Sequence, residues 1–271
     1  MRTVRLFAAL APAVLLSACL QSRALVNVNA DGSGTIEHQT IMTAEAIAQM
    51  RQLTGHFGNG SAKPIDPFSE ADARDVASKM GEGVSLISST PIKTAAGEGR
   101  ANVYGFRDIR QIKFNQSPAT PGNTTVRAGG VGVGGTDLGT VTFGLSRTGT
   151  GNTVLTLHSP DGLTDAFTGR TSKPDSPTGA DQLAMVRQML AGIRMALKVQ
   201  PAGRLVRTNS PYVDGNVVTL FDLDLDALLR NDSAFARFQE VKTKAEMAEV
   251  LKDVPAFKIT LERDVTIEFA R

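Results

Sequence analysis

The run Phe257-Lys258-Ile259-Thr260-Leu261-Glu262-Arg263-Asp264-Val265-Thr266-Ile267-Glu268-Phe269 alternates apolar and polar residues almost without fault. Phe257, Ile259, Leu261, Val265, Ile267 and Phe269 share one side. Lys258, Thr260, Glu262, Asp264, Thr266 and Glu268 share the other, and only Arg263 breaks the order. A period of two is the side-chain repeat of a β-strand. A single apolar face belongs to a sheet with one covered and one wet side, the usual condition of antiparallel sheets. Strand pairs elsewhere, with helical blocks between them, complete an α+β reading: an antiparallel sheet covered on one face by helices, with long polar loops.

Working back from that strand, short helices are expected over 225–230, 232–239 and 243–252. Leu205–Thr208 and Val217–Phe221 flank Asp214-Gly215 and read as a hairpin. The strongest helical period lies at 180–198, where Leu183, Val186, Met189, Leu190, Ile193 and Leu197 recur at three- and four-residue spacing. That stripe is the expected cover for the closing strand. Val141, Phe143 and Leu145 alternate ahead of a Gly149–Asn152 turn and a return strand, Thr153–His158. Val84–Ser88 and Arg100–Arg107 are two further strands. Ser69-Glu70-Ala71-Asp72 resembles a capping box for a helix that ends at Gly81. Another helix is expected over 43–54, capped by Thr43. Ala24–Met42 reads as a hairpin turning at Asp31-Gly32-Ser33-Gly34. The segments 115–138 and 159–179 lose apolar periodicity and read as surface loops. One α+β unit over 19–271 accounts for all of this, with 160–180 the place where two lobes would divide.

The first residues have a different character. Arg2 and Arg5 precede an apolar run from Leu6 to Leu16, which is too short to span a bilayer. Leu16-Ser17-Ala18-Cys19 follows, and Cys19 is the only cysteine in 271 residues. A positive region, a short apolar region and small residues before a cut site make an export signal. With the cysteine placed there, the string resembles a bacterial lipobox. That resemblance implies a signal peptide at 1–18, acylation of the Cys19 thiol by palmitate-type chains, and a membrane anchor. In Gram-negative lipoproteins an aspartate after the cysteine implies retention in the inner membrane. Leu20 in its place implies the outer membrane, facing the periplasm.

Removal of 1–18 takes Arg2 and Arg5 and no acid, leaving 27 basic against 27 acidic side chains. A neutral chain has no electrostatic footprint for nucleic acid, and no such partner is expected. With Cys19 acylated, no thiol is left for disulfides or a sulfur metal site. Tryptophan is absent and there are two tyrosines, which argues against sugar stacking.

Gly81-Glu82-Gly83-Val84-Ser85-Leu86, then Tyr104-Gly105-Phe106-Arg107-Asp108-Ile109 within 101–112, resemble uncharacterised bacterial envelope lipoproteins. So does Gly203-Arg204-Leu205-Val206 ahead of Asn209 and Asp214-Gly215-Asn216. The last stretch is also similar to LppM-like lipoproteins. That similarity implies an α+β domain linked to glycolipid binding. Many LppM-like chains carry a C-terminal membrane helix, whereas this one ends in a polar strand at Arg271.

Catalytic motifs fail one by one. Gly130–Gly135 spells G-x-G-x-x-G, but it lies between a Pro/Thr loop and a strand, without the strand-to-helix turn a dinucleotide needs. An EF-hand starting at Asp222 would need Gly at 227 and Glu at 233, and finds Ala227 and Ser233. Asp222, Asp224 and Asp226 instead read as the polar face of a strand running into a helix capped by Asp224 or Asp226. His38, His56 and His158 have no ligand spacing, and no metal or cofactor is expected. No nucleophile elbow is present; Gly144-Leu145-Ser146-Arg147-Thr148 lies inside an alternating strand. Met185, Met189 and Met195 enrich the 180–198 segment. Met185, Met189 and Ile193 are the candidate wall of a groove for a lipid-like ligand, with plain core filling as the other reading. The expectation is therefore a non-enzymatic lipoprotein that binds an amphiphile or an envelope protein. A hydrolase whose carboxylates meet only in the fold, and a structural tether, are the alternatives.

Overall fold

The computed structural model describes residues 20–48, 68–95, 97–115, 140–159, 187 and 191–270. The expected loops beyond 115 and 159, the Gly130–Gly135 run, His56, Cys19, Met185 and Met189 lie outside them. The first strand, β1 (Leu20–Val28), turns through 29–33 into β2 (Gly34–Met42). Asp31 shapes that turn by accepting from the Ser33 amide at 2.9 Å, and Gly32 takes the left-handed φ of 92° that a side chain would resist. Helical residues 44–48 follow, with Thr43 Oγ1 accepting from the Ala46 amide at 3.3 Å.

Helix α1 (Glu70–Met80) starts as its sequence implies: Ser69 Oγ accepts from the Asp72 amide at 3.1 Å and donates to the Asp72 carboxylate at 2.6 Å. It buries Ala73, Ala77 and Met80. A long hairpin, β3 (Ser85–Thr94) and β4 (Gly97–Phe106), extends the two expected strands toward one another. Next come β5 (Lys113–Asn115), β6 (Thr140–Arg147) and β7 (Thr153–His158). After these come β8 (Arg194–Pro201), β9 (Leu205–Thr208), β10 (Val213–Asp214) and β11 (Val217–Asp224). Helices α2 (Leu225–Arg230), α3 (Asp232–Glu240) and α4 (Lys244–Lys252) fall where they were expected. Asp224 caps α2 by accepting from the Ala227 amide at 3.1 Å. The chain closes with β12 (Phe257–Ile259) and β13 (Asp264–Phe269).

The α+β class holds, with mainly antiparallel strands divided between two sheets. The first has eight strands in the order β10-β11-β8-β1-β2-β4-β3, with β12 also paired to β11. The second has five, β5-β6-β7-β13-β9. One pair, β1 with β8, is parallel. Such a pair cannot be closed by a tight turn, and here a long stretch of chain separates its strands. Val26, Val28, Ile36 and Tyr104 of the first sheet and Leu155, Leu157, Ile267 and Phe269 of the second are almost fully buried in one shared core.

Three expectations are corrected. The 257–269 strand is two strands. Its alternation survives, with Phe257, Ile259, Val265, Ile267 and Phe269 all buried, but the chain leaves the first sheet after Ile259 and enters the second at Asp264. The crossing is held at Thr260, whose amide donates to Leu220 O at 2.7 Å and whose hydroxyl donates to Thr219 O at 3.0 Å. The 205–208 and 217–221 strands do not pair either. β9 pairs β13 in the second sheet, while β10 and β11 make the hairpin around Gly215, with φ of 58°.

The third correction concerns 180–198, which is not one helix. Ala191 N donates to Arg187 O at 3.0 Å, closing a helical turn. Gly192 then adopts φ of 76°, the left-handed glycine that ends helices. From Arg194 the chain is a strand, with Leu197 and Val199 buried inward and Arg194 and Lys198 outward. Residues four apart share a side in a helix and in a strand alike, so Ile193 and Leu197 fitted both patterns.

Candidate functional site

The inner face of the eight-stranded sheet changes character along its strands. At the end where β1 finishes, Val26, Ile36, Tyr104, Leu86 and Val199 occupy neighbouring inward positions. Toward the end where β1 begins, the same face carries Ser22, His38, Thr40, Arg100, Asn102 and Ser89 across β1, β2, β4 and β3. These side chains bond to one another. Ser22 Oγ lies 3.1 Å and Thr40 Oγ1 3.5 Å from His38 Nε2. Ser89 donates to Asn102 Oδ1 at 2.6 Å, and Arg100 Nη1 donates to Ser89 Oγ at 2.8 Å. Arg100 Nε donates to the carbonyl of Phe68, tying the start of α1 to the sheet.

On the other side of β1 the same level is apolar. Met195 and Leu197 of β8 stand beside Leu223 and Phe221 of β11, and the last three are buried. The inner face is thus polar and half-buried on one half, and apolar and packed into the core on the other, with Met195 partly exposed between them. Burial drives the His38 pKa down to about 4, so the ring is neutral at pH 7 and serves as a hydrogen-bonding group. Burial raises Tyr104 to about 12, against the opposing hydrogen bond from Asn102.

Ile193, the one described residue of the expected groove wall, lies at this end of the sheet and is buried. Its carbonyl accepts from Leu225 N at 3.1 Å, and Asp226 accepts from Gly192 N at 2.7 Å. Arg187 fastens the preceding turn to α3, pairing with Asp232 at 2.7 Å and lying 5.1 Å over the Phe235 ring.

Several acidic residues are engaged in ion pairs and hydrogen bonds. Asp222 pairs with Lys198 at 2.9 Å and Asp224 with Arg194 at 3.2 Å. Glu268, buried, accepts from Asn152 at 2.8 Å and Arg207 at 2.6 Å; these bonds lower its pKa. A neighbouring arginine lowers Asp108, and backbone amides lower Glu246. These three carboxylates are therefore held in the charged form. His158 Nδ1 sits 2.7 Å from Asp264 on the surface, far from the Ser22–His38 row in sheet order. No group of metal-ligating side chains occurs among the described residues. Between the sheets, a cavity lined by Val141, Leu157, Leu197, Phe221, Thr260 and Val265 encloses about 10 Å³, room for one water at most. An acyl chain does not fit there. No described helix is long and apolar enough to cross a membrane.

The polar row was not singled out from sequence. Its signal was present: Ile36, His38 and Thr40 share strand parity, so one face of β2 passes from apolar to polar within five residues.

The class of protein these features define is a two-sheet α+β domain with a half-polar, half-apolar sheet floor. No family model matches the sequence, and no curated protein matches it. The chain is similar to the folded domain of Mycobacterium tuberculosis LppM, solved by NMR. The likeness is distant: 11% identity over 93% of this chain and 90% of that one, with a TM-score of 0.32.

Proposed function

We propose that this chain is an acyl-anchored envelope lipoprotein, cut before Cys19, whose domain binds an amphiphile at the membrane surface without performing chemistry. The observation that supports this most is the sheet face around Ser22, on the strand that begins one residue after Cys19: His38, Thr40 and Arg100 lie on one side of it and Met195 and Leu223 on the other. The half-buried polar row offers hydrogen-bonding partners to a headgroup, and partly exposed Met195 stands beside it. Ile193 enters β8 at this end; Met185 and Met189, the other candidates for the binding wall, lie outside the described residues. In a Gram-negative host, Leu20 after the cysteine directs the protein to the outer membrane, facing the periplasm.

Two measurements test this. The Cys19→Ser variant should leave the membrane fraction or accumulate as uncleaved precursor; a processed variant still tightly membrane-bound would remove the anchor. Mass spectrometry of the domain purified without Cys19 should find an acyl-chain amphiphile co-purifying, and a ligand-free protein would count against the floor as its site.

A further inference from the structure

We infer that the end of the eight-stranded sheet carrying Leu20, Met42 and Glu98 lies directly on the lipid bilayer, holding the domain in one orientation. This rests on the anchor reading above and deepens it. A lipid-anchored domain stands off its membrane by the length of chain between the acylated residue and the first fixed residue. Here that length is a single peptide unit, about 3.8 Å. Leu20 is already in β1, opposite Met42, and Gln21 is already opposite Arg194. β1 has a partner on each side, β2 and β8, so it cannot be drawn out as a spacer without breaking two ladders.

The occupant is therefore the bilayer that holds the Cys19 chains. The position of the anchor selects it, and charge does not: exposed Glu98 and Lys93 oppose each other at this end, and Arg194 is paired with Asp224. The same end carries the β3–β4 turn at Thr94–Gly97, the helical residues 44–48 and the 191–193 entry to β8. The half-buried polar row begins at Ser22, two residues from Leu20 along β1, with Met195 beside it. A headgroup at the bilayer surface would then lie beside that row.

The test uses the full lipidated protein on phosphatidylcholine vesicles containing a minor fraction of headgroup-nitroxide lipid. The mature chain has one cysteine, and acylation blocks it, so a fluorophore can be placed at a single introduced thiol. Glu98→Cys and Arg107→Cys put it at opposite ends of β4, both exposed and roughly 30 Å apart. Quenching at 98 should exceed that at 107 severalfold. A Gly/Ser insert of about 15 residues between Cys19 and Leu20, spanning roughly 20 Å, should abolish the difference. Equal quenching in a chain whose mass shows acylation overturns the orientation and leaves the anchor standing. A mass without acyl groups overturns the anchor, and the orientation with it. Unequal quenching that the insert does not change overturns the short tether as its cause.

Discussion

The two ends of the first sheet's inner face are built from the same strands and differ in what they bury. At the far end Val26, Ile36 and Tyr104 have no exposure, sealed against the second sheet. At the Leu20 end, Ser22, His38, Thr40, Arg100 and Asn102 are only half-buried and are held by bonds to one another. A half-buried polar side chain stabilises a fold weakly, because its gain must offset lost hydration. One end thus supplies stability and the other supplies a surface with hydrogen-bonding capacity. A single mutational set can test that division.

The largest effect should come at the sealed end. Ile36→Ala removes a fully buried side chain facing the second sheet and should destabilise by about 3 kcal/mol in urea unfolding. A loss below about 1 kcal/mol would mean that this end is as open as the other.

Next is the response of His38 to acid. Its folded pKa of about 4 lies below the ordinary 6.5, so the unfolded chain takes the proton more readily. Stability is therefore unaffected above pH 6.5 and falls as pH drops from there through 4, by at most about 3 kcal/mol. His38→Gln should flatten that part of the pH profile. A profile that keeps its slope would assign the acid sensitivity to other groups.

Gly192→Ala should cost about 1–2 kcal/mol, because φ of 76° forces the new side chain into the left-handed region. A neutral or stabilising result would restore a helix running through 192. Ser89→Ala should be the smallest change, about 1 kcal/mol, through the lost bonds to Asn102 and Arg100. If it instead raises stability and weakens amphiphile retention, the polar row is kept for binding.

Much of the local structure could be read from the chain. The Ser69 and Asp224 caps, the Asp31-Gly32 turn, the three helices after β11 and the inward parity of Phe257 through Phe269 all follow from neighbouring residues. The candidate site was less legible. In the sequence His38 is one of three histidines without ligand spacing; its row exists because β1, β2, β4 and β3 align Ser22, Thr40, Asn102 and Ser89 at matching levels.

By itself the sequence determined which apolar strand residues share a buried side, where helices begin, and that α and β elements mix, since these depend on side-chain period and on contacts within a few residues. Tertiary structure decided the partners. It split 257–269 between two sheets, moved β9 away from β11, set β8 parallel to β1, and made a strand of 194–201 where a four-residue spacing fitted a helix equally well. Period tells a residue which side to bury; only the competing burial of distant strands determines against what.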